Sequence, residues 1–311
     1  MKIGITGSTG FIGSALCERL AVLDFEVVKL VRKASIHGAR VVGDIGPDTD
    51  WSGALNGCDV VVHLAGRVHV MREAASDPLA LFRKVNTAGT ATLAQAACLS
   101  GVKRFIYMSS VKVNGEATSC GHAFTEAANP APQDAYGISK WEAELALTSI
   151  ARAHGMEWVI IRPPLVYGPG VKANFASLAR VVAKGWPLPL GAIRNQRSLV
   201  SIDNLVDFVV CCISHPRAAN QPFLVSDGQD LSTPELVRKL GSILGRSPWI
   251  PSVPVLVLKG LAALSGRLSS VNRLIENLQV DISKARKLLD WVPPFTVTQG
   301  LQRVVDAMKK P

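Results

Sequence analysis

Tyr136 and Lys140 are two residues whose types and spacing permit proton transfer. Four positions apart at the predicted start of a helix, the tyrosine and the lysine share one helix face. A free phenol has a pKa of about 10, and a neighbouring ammonium group lowers that pKa because it stabilises the phenolate. The pair therefore predicts a group that moves a proton to or from a hydroxyl or carbonyl of a substrate.

A glycine-rich turn lies near the start of the chain. The short apolar strand predicted over 2–6 leads directly into residues 7–13, GSTGFIG, and apolar residues at helical spacing follow as far as Leu23. Strand, glycine turn and helix together bring backbone N–H groups and a helix N-terminus to a pyrophosphate. The spacing is G-x-x-G-x-x-G rather than G-x-G-x-x-G. The turn predicts a dinucleotide site.

Composition limits the class of protein. The chain has 311 residues, of which 48% are hydrophobic, enough for one large domain or for a large and a small one. The longest apolar stretch, 253–264, contains Lys259 and Gly260 and is too short to span a bilayer. No targeting segment is evident, and six cysteines without C-x-x-C spacing favour a reduced, cytoplasmic protein.

The formal net charge is +10, yet no stretch clusters five basic residues and the arginines are distributed along the chain. This distribution disfavours a nucleic-acid-binding protein. A diffuse positive field suits small polyanions such as dinucleotides and nucleotide sugars. Attraction to an anionic membrane surface stays open. His63 ends an apolar strand, and no cysteine or carboxylate lies at metal-ligand spacing from it, so we expect a core histidine and no metal site.

Apolar β-branched segments alternate with helical patterns, which is typical of an α/β fold with a doubly wound parallel sheet. Beyond Tyr167 prolines become more frequent and helices replace the alternation, which predicts a smaller C-terminal substrate-binding lobe. We expect a dinucleotide-binding domain over 1–168, to which the chain returns around 198–226, and a lobe over 169–197 and 227–311. The predicted strands are 2–6, 26–31, 39–42, 59–64, 103–109, 157–162 and 222–226, and the predicted helices are 11–23, 78–100, 134–154, 173–184, 203–214, 232–245, 254–267, 283–289 and 298–309.

Short motifs follow one another along the whole chain. They are Thr6-Gly7-x-x-Gly10-Phe11-Ile12-Gly13, Gly43-Asp44-Ile45, His63-Leu64-Ala65-Gly66, Val85-Asn86-x-x-Gly89-Thr90, Ser109-Ser110, Tyr136-x-x-x-Lys140, Arg162-Pro163, Val166-Tyr167-Gly168-Pro169-Gly170, Arg197, and Asp281-Ile282-Ser283-Lys284-Ala285 before Leu289-Asp290-Trp291. In this order they resemble the extended short-chain dehydrogenase/reductases that act on nucleotide sugars, the group of UDP-hexose 4-epimerases and sugar-nucleotide dehydratases. The resemblance implies a Rossmann fold and a homodimer formed through the helices over 78–100 and 134–154.

The resemblance also implies how a nicotinamide dinucleotide is held. One group of residues lines the pyrophosphate, a second lies against the adenine, and a third passes under the cofactor. Lys140 hydrogen-bonds the nicotinamide ribose while tuning Tyr136. The residues at the pyrophosphate are Gly7, Gly10, Phe11, Ile12 and Gly13, those at the adenine are Asp44 and Ile45, and those under the cofactor are Leu64, Ala65 and Gly66. Asn86 steadies the nearby strand ends, and Pro163 abuts the nicotinamide.

For the substrate, the resemblance implies that Ser110 donates a hydrogen bond to the sugar oxygen at C4. Asn174 and Arg197 would meet the diphosphate, and the planar fork of an arginine suits phosphate oxygens. Arg273 reaches phosphate in one interpretation and lies on a solvated helix face in the other.

Three neighbouring residues have alternative roles in the sequence. Lys112 and Asn114 either line the sugar pocket or cap the strand. For Ser109 we favour an ordinary strand-end residue that bonds the backbone.

Two departures from the family pattern concern the chemistry. Dehydratase members carry an acidic pair directly after the catalytic threonine, whereas this chain has Val111 and Lys112 there. An apolar residue and a cation do not supply that acid–base chemistry, so a dehydratase is disfavoured. Leu165 replaces an asparagine of many relatives, which puts one substrate hydrogen bond in doubt.

The cofactor preference is predicted from the end of the second strand. NAD-specific members place an acidic residue about 20 positions past the turn to bind the ribose 2′-hydroxyl. This chain has Val31-Arg32-Lys33 there, and an arginine attracts a 2′-phosphate. We therefore expect NADP (NADPH) to be preferred, with NAD possible and Arg32 stacked on the adenine as the alternative.

The segments 110–116 and 169–175 resemble a branch of bacterial UDP-4-ketohexose 4-reductases that form UDP-N-acetylquinovosamine for surface polysaccharide. With the predicted NADPH preference, this favours reduction of the C4 ketone of a UDP-4-keto-6-deoxyhexose. The alternatives are a UDP-hexose 4-epimerase with tightly bound NAD and a non-catalytic dinucleotide sensor.

Overall fold

The structure is a computed structural model and describes residues 1–34, 38–68, 77–171, 173–264 and 268–309. Apolar β-branched segments form the strands, as predicted, and the central ones are buried on both faces. The strands are β1 (Lys2–Thr6), β2 (Glu26–Val31), β3 (Arg40–Val41), β4 (Val60–His63), β5 (Arg104–Met108), β6 (Glu157–Arg162), β7 (Leu165–Tyr167), β8 (Leu199–Ser201) and β9 (Gln221–Leu224).

Helices connect most of the strands. They are α1 (Phe11–Val22), α2 (Pro78–Phe82), α3 (Gly89–Leu99), α4 (Ala135–His154), α5 (Ala173–Ala183), α6 (Ile202–Ser214), α7 (Thr233–Ile243), α8 (Val255–Leu264), α9 (Leu268–Ile275), α10 (Ser283–Leu289) and α11 (Val297–Lys309), with a π-helical segment Arg83–Ala88 and two 3₁₀ turns, Val111–Val113 and Pro216–Ala218.

Seven parallel strands form the main sheet in the order β3-β2-β1-β4-β5-β6-β9. Thr6, the last residue of β1, is in register with Leu30 of β2 and with His63 of β4, so the carboxyl ends of these strands meet at one edge. The strand order reverses between β1 and β4. The connections leave that edge in opposite directions and open the crevice in which such sheets bind ligands.

Two apolar clusters cover the faces of the sheet, which confirms the predicted doubly wound α/β fold. Helices α1 and α6 supply one cluster, and helices α3 and α4 supply the other. The fully buried helix residues are Leu16, Leu20, Leu205 and Phe208 on the first face, and Leu93, Ala97, Ala143 and Leu147 on the second.

A third cluster lies in the C-terminal part of the chain. It is built around Tyr167, which stacks on Phe175 with ring centroids 5.4 Å apart, and it includes residues of α7 and α11. Strands β7 and β8 pair with each other in a separate two-stranded sheet at its border. The predicted division into domain and lobe stays a prediction.

The sequence patterns missed three features. The helix predicted over 78–100 is divided by the π-helical segment, and the next residue, Gly89, lies so close to Ile45 that a Cβ atom would approach its Cγ2 to 2.5 Å. β7 and β8 are three residues long, too short for periodicity to register. α9 was not predicted, and the end of the helix predicted over 254–267 lies outside the described residues.

Candidate active site

The glycine turn joins β1 to α1 through close backbone contacts. Gly7 has a φ of +66°, and a Cβ atom on it would lie 2.8 Å from the backbone nitrogen of Ala65. A Cβ atom on Gly13 would lie 2.1 Å from the Gly7 carbonyl oxygen, so neither position accommodates a side chain. Gly10 is the N-cap of α1, and no side chain caps this helix. Its first amide groups are therefore free to bind an anion such as a pyrophosphate.

Asn86 fixes the loop that follows β4. Its buried side chain accepts a hydrogen bond from the Arg67 amide at 2.8 Å, and it donates to the Arg67 carbonyl and to Ser139 Oγ, each at 3.0 Å. A Cβ atom on Gly66 would lie 3.0 Å from Asn86 Oδ1 and 3.4 Å from Lys140 Nζ. The loop therefore passes directly beside the lysine, and only glycine fits at that point.

The ends of β2 and β3 place Arg32 next to Asp44. The guanidinium and the carboxylate lie 3.5 Å apart, and both side chains are largely exposed. Ile45, the next residue, packs against α3 at Gly89. These three residues lie at the edge of the crevice where the resemblance places the adenosine.

Ser110 and Tyr136 are brought together by the 3₁₀ turn after β5 and the first turn of α4. Their side chains are neighbours, and Ser110 Oγ accepts a hydrogen bond from the Lys112 amide at 3.2 Å. Burial raises the pKa of Tyr136 to about 12, although the neighbouring Ser110 hydroxyl acts in the opposite direction. The phenol is therefore protonated at neutral pH, the form that a general acid requires.

Lys140 lies one turn further along the same face of α4. Its Nζ donates to the Met108 carbonyl at 2.9 Å, and it is 4.6 Å from the ring centroid of Tyr107 and 5.9 Å from that of Tyr136. Burial lowers the pKa of Lys140 to about 8, and the carboxylate of Glu144 opposes this. The expected lowering of the Tyr136 pKa is wrong for this state of the protein, because the ammonium group bonds the end of β5 and burial of the phenol dominates.

A buried ion pair lies behind the two serines. Arg162, at the end of β6, donates to the two carboxylate oxygens of Glu144 at 2.9 and 2.5 Å. Ser109 Oγ donates to the same carboxylate at 2.5 Å, so Ser109 bonds a side chain rather than the backbone. Arg162 also donates to Asn114 Oδ1 at 3.2 Å, and Asn114 Nδ2 donates to the Thr125 carbonyl at 3.2 Å. These charge-assisted bonds hold β5, β6 and α4 in fixed positions.

Lys112 ties the turn after β5 to the N-terminus of α4. Its ammonium group forms ion pairs with Asp134 and, at 2.8 Å, with Glu116. Asp134 is the N-cap of α4 and accepts a hydrogen bond from the Gly137 amide at 2.7 Å. Lys112 and Asn114 thus have protein partners here, and their contact with a sugar stays a prediction.

His63 is a buried residue with two hydroxyl partners. Its Nδ1 atom lies 2.6 Å from Thr6 Oγ1, and its Nε2 atom lies 3.1 Å from Thr90 Oγ1. Burial, together with the Lys140 ammonium, lowers the pKa of His63 to about 3. The neutral imidazole therefore links β1, β4 and α3, as expected of a core histidine.

Arg197 and Arg273 form the cationic part of the C-terminal side. Arg197 Nη1 donates to the Glu276 carbonyl at 3.0 Å. Burial lowers the pKa of Arg197, the Glu276 carboxylate opposes this, and the Arg273 guanidinium adds to it, which indicates that the two cations are neighbours. Such a pair suits a diphosphate. Asn174 lies outside the residues whose side chains are described.

Pro163 follows β6, and its carbonyl accepts a hydrogen bond from the Val111 amide at 3.0 Å, which places it beside the turn that carries Ser110. No group of three or more histidine, cysteine or carboxylate side chains that could hold a metal ion occurs in the described ranges. None of the helices in those ranges is long and apolar enough to cross a membrane.

Glu144 and Asp134 are site residues that the motifs missed. Each left a signal in the sequence: Glu144 is four positions past Lys140 and therefore on its helix face, and Asp134 immediately precedes the predicted helix as N-caps do.

Comparison with known proteins gives consistent matches. The model of the NAD dependent epimerase/dehydratase family matches residues 3–226. A Vibrio cholerae protein named UDP-glucose 4-epimerase is 50% identical over an alignment of 311 positions, which covers 98% of this chain and 95% of that protein. An Escherichia coli O157:H7 protein named N-acetyl-alpha-D-glucosaminyl-diphospho-ditrans,octacis-undecaprenol 4-epimerase is 30% identical over 97% of this chain and 93% of its own.

Among solved structures, UDP-glucuronic acid 4-epimerase from Bacillus cereus in complex with NAD superposes with a TM-score of 0.80. It is 23% identical and covers 100% of this chain and 99% of its own, a likeness that shows the fold.

The expected reduction of a UDP-4-keto-6-deoxyhexose is wrong. The relative at 50% identity is named a UDP-glucose 4-epimerase and spans nearly the whole chain, which supports the alternative. The segments 110–116 and 169–175, which suggested the reductase branch, are too short to outweigh a match of that extent.

Proposed function

We propose that this chain, which belongs to the NAD dependent epimerase/dehydratase family, is a UDP-hexose 4-epimerase. It is an enzyme of that family. The observation that carries the proposal is the placement of Ser110 and Tyr136 next to each other and beside the buried Lys140, at the carboxyl end of a parallel sheet. The two relatives described above are both named 4-epimerases, and this supports inversion at C4 over net reduction.

The residues present fit a nicotinamide dinucleotide. The uncapped N-terminus of α1 suits the pyrophosphate, and the loop after β4 passes at Gly66 directly beside Lys140, where the resemblance places the ribose. Gly7, Gly13 and the loop after β4 would hold the group, which supplies reversible oxidation of the sugar carbon when bound. The other dinucleotide-binding residues named from the sequence stay predictions.

Tyr136 exchanges the proton of the C4 hydroxyl. Its partly exposed phenol donates when the hydroxyl is regenerated and accepts when the hydroxyl becomes a carbonyl. Accepting the proton requires a lower pKa than about 12, so a cation near the phenol must stabilise the phenolate in the working complex. Lys140 provides this when its ammonium group turns from the Met108 carbonyl, 2.9 Å away, toward the phenol.

Ser110 orients the sugar oxygen. Its hydroxyl oxygen accepts a hydrogen bond from the Lys112 amide at 3.2 Å and lies next to the phenol, so the Lys112 amide orients it. A hydroxyl held in this way donates to the C4 oxygen in either configuration of that carbon. Inversion requires that one hydroxyl can bond the C4 oxygen of both epimers, since both must bind with C4 at the same residue.

The arginine pair supports a diphosphate-linked hexose as substrate. UDP-glucose and the lipid-linked sugar in the second relative's name both carry a hexose attached through a diphosphate. Arg197 and Arg273 offer two neighbouring cations for that group, with Asn174 as a further candidate. We favour the UDP-sugar because the identity to its epimerase is higher, 50% against 30%.

Arg32 leaves the choice of dinucleotide as a prediction. Its guanidinium is exposed and available to a 2′-phosphate, but Asp44 lies 3.5 Å away and partly neutralises it. NADP is therefore favoured less strongly than Arg32 alone implies, and either dinucleotide serves the reversible oxidation.

The remaining assignments concern the domain division, the oligomeric state and the location of the protein. The third apolar cluster supports a lobe over 169–197 and 227–311 beside a domain over 1–168. A homodimer through 78–100 and 134–154 follows from the resemblance alone. A cytoplasmic location agrees with six free cysteines.

The direct experiment is to incubate the purified protein with UDP-glucose, with no dinucleotide added, and to follow the C4 epimer by nuclear magnetic resonance. We expect interconversion from either epimer to the same equilibrium mixture. No epimer formed from either sugar, even after NAD or NADP is added, would refute the proposal.

A further inference from the structure

Charge is segregated along this chain. Residues 158–202 and 236–275 contain no aspartate or glutamate, yet together they carry twelve of the 34 lysines and arginines. The other residues hold 22 basic side chains against 24 acidic ones, so the net charge of +10 resides in these two stretches. Both stretches contribute to the third apolar cluster, so the positive charge lies largely on one end of the molecule.

The same end exposes a strongly apolar helix. In α8, Val255, Leu258 and Ala262 pack inward, whereas Leu256 (83% exposed) and Leu264 (89%) face outward. Val257 and Leu261 are also exposed and complete a stripe at positions 256, 257, 261 and 264. A surface helix in water normally presents polar residues on its outer face, so this apolar face indicates contact with something apolar.

Two exposed tryptophans border the helix. Trp186 and Trp249 lie on segments joined by a hydrogen bond from the Leu188 amide to the Trp249 carbonyl at 2.9 Å, and Trp249 is six residues before α8. The ammonium group of Lys184 lies 5.2 Å above the Trp186 ring. Exposed lysines and arginines surround this face; they are Lys184, Arg194, Arg246 and Lys259.

We propose that this face, formed by the outer side of α8 with Trp186 and Trp249, docks on an anionic lipid bilayer. Leucines and tryptophans enter the boundary between headgroups and acyl chains, and the surrounding cations meet anionic headgroups. Charge complementarity selects this occupant, because a second copy would bring one predominantly basic surface against another. The helix lies on the membrane and does not span it, since it has only ten residues.

The test is sedimentation of the full-length protein with vesicles of phosphatidylcholine, alone or mixed with phosphatidylglycerol. We expect binding to the mixed vesicles that weakens as salt is raised, and little binding to phosphatidylcholine alone. The double variant Leu261→Glu/Leu264→Glu lowers partitioning at least about tenfold, because two carboxylates replace the inserted side chains. Lys184→Gln and Lys259→Gln each lower it about fivefold on mixed vesicles only.

The control is Val22→Glu, which changes an exposed apolar residue (74%) at the end of α1, away from α8 and from the helices proposed to form the dimer, and leaves partitioning unchanged. Circular dichroism melting of every variant establishes that it is folded, independently of any enzyme assay. The proposal is overturned by a parent protein that stays in solution with anionic vesicles, or by equal loss of binding in Val22→Glu. It is also overturned if light scattering shows that the α8 variant converts a dimer to a monomer, since a second copy then covers the face.

Discussion

Ser109 and Ser110 are adjacent residues in different surroundings. Ser109 bonds the buried Glu144 carboxylate at 2.5 Å, whereas Ser110 meets the phenol of Tyr136. The assignment of Ser110 to the substrate stays a prediction. The sequence did not identify the partner of Ser109, because that partner is brought close only when α4 packs on β5.

The serine pair yields a matched test. Ser110→Ala lowers kcat by roughly two orders of magnitude, because a donor to the reacting oxygen is lost. Ser109→Ala leaves kcat within a few-fold but lowers the free energy of unfolding by about 1.5–3 kcal/mol, since a buried charged group loses a hydrogen bond. Epimer interconversion and denaturant unfolding measure the two effects. An exchange of the two phenotypes would show that the roles are reversed.

Tyr136→Phe removes the proton carrier. We expect turnover to fall by roughly two to four orders of magnitude, while the dinucleotide content of the purified protein is unchanged because the glycine turn is intact. The measurement is the rate of interconversion together with the dinucleotide released on denaturation. Turnover within tenfold of the parent would exclude Tyr136 from proton transfer.

Arg32 decides the dinucleotide. Arg32→Ala weakens NADP binding by about ten- to a hundredfold and NAD binding much less, because a charged hydrogen bond to the 2′-phosphate is lost. Asp44→Asn is the matched variant, and we expect it to strengthen NADP binding since a carboxylate 3.5 Å from the guanidinium is removed. Dissociation constants measured on dinucleotide-free protein check both. Equal dissociation constants for NAD and NADP in the parent and in both variants would contradict the role of Arg32 at the 2′-phosphate.

At the scale of elements, the parallel sheet and its covering helices followed from periodicity, because β1, β4 and β5 are apolar on both faces and α4 keeps an apolar stripe for its whole length. The π-helical turn around Asn86 did not, since this segment contacts distant parts of the chain, as Asn86 does with Arg67 and Ser139, and no local pattern contains those contacts. The raised pKa of Tyr136 was also missed. It depends on burial by the assembled site, which no local pattern contains.

The junction of β1, β4 and α3 gives a pH-dependent prediction. His63 is neutral in the folded protein, with a pKa lowered from 6.5 to about 3. Its stabilising contribution is complete above pH 6.5 and is lost as the pH falls toward 3, because His63 binds a proton in the unfolded chain but stays neutral in the folded one. Across that window we expect the free energy of unfolding of the parent to fall more steeply than that of His63→Asn.

The difference in slope approaches about 1.4 kcal/mol per pH unit, the value for one proton. Denaturant titrations at several pH values measure it, with His154→Asn, which changes an exposed histidine, as the control. Parallel curves for the parent and His63→Asn would show that the imidazole is charged in the fold.

At the scale of the whole molecule, the C-terminal part is joined to the sheet by a buried carboxylate. Asp227, just after β9, accepts hydrogen bonds from Tyr167 Oη and Asn204 Nδ2, each at 2.6 Å, and from the Ser201 amide at 2.8 Å. Tyr167 belongs to the third apolar cluster and Asn204 to α6. Arg197 and Arg273, which we propose to bind the diphosphate, are thereby held in a fixed relation to Ser110 and Tyr136.

Inversion at C4 by one set of residues is the central claim, and isotopic labelling tests it most directly. UDP-glucose carrying deuterium at C4 is incubated with the purified protein in unlabelled water, with no dinucleotide added, and the epimer is isolated. We predict that the epimer retains the deuterium at C4, because removal and return take place within one closed site. Epimer that has lost the label to solvent, or no epimer at all, would contradict the claim.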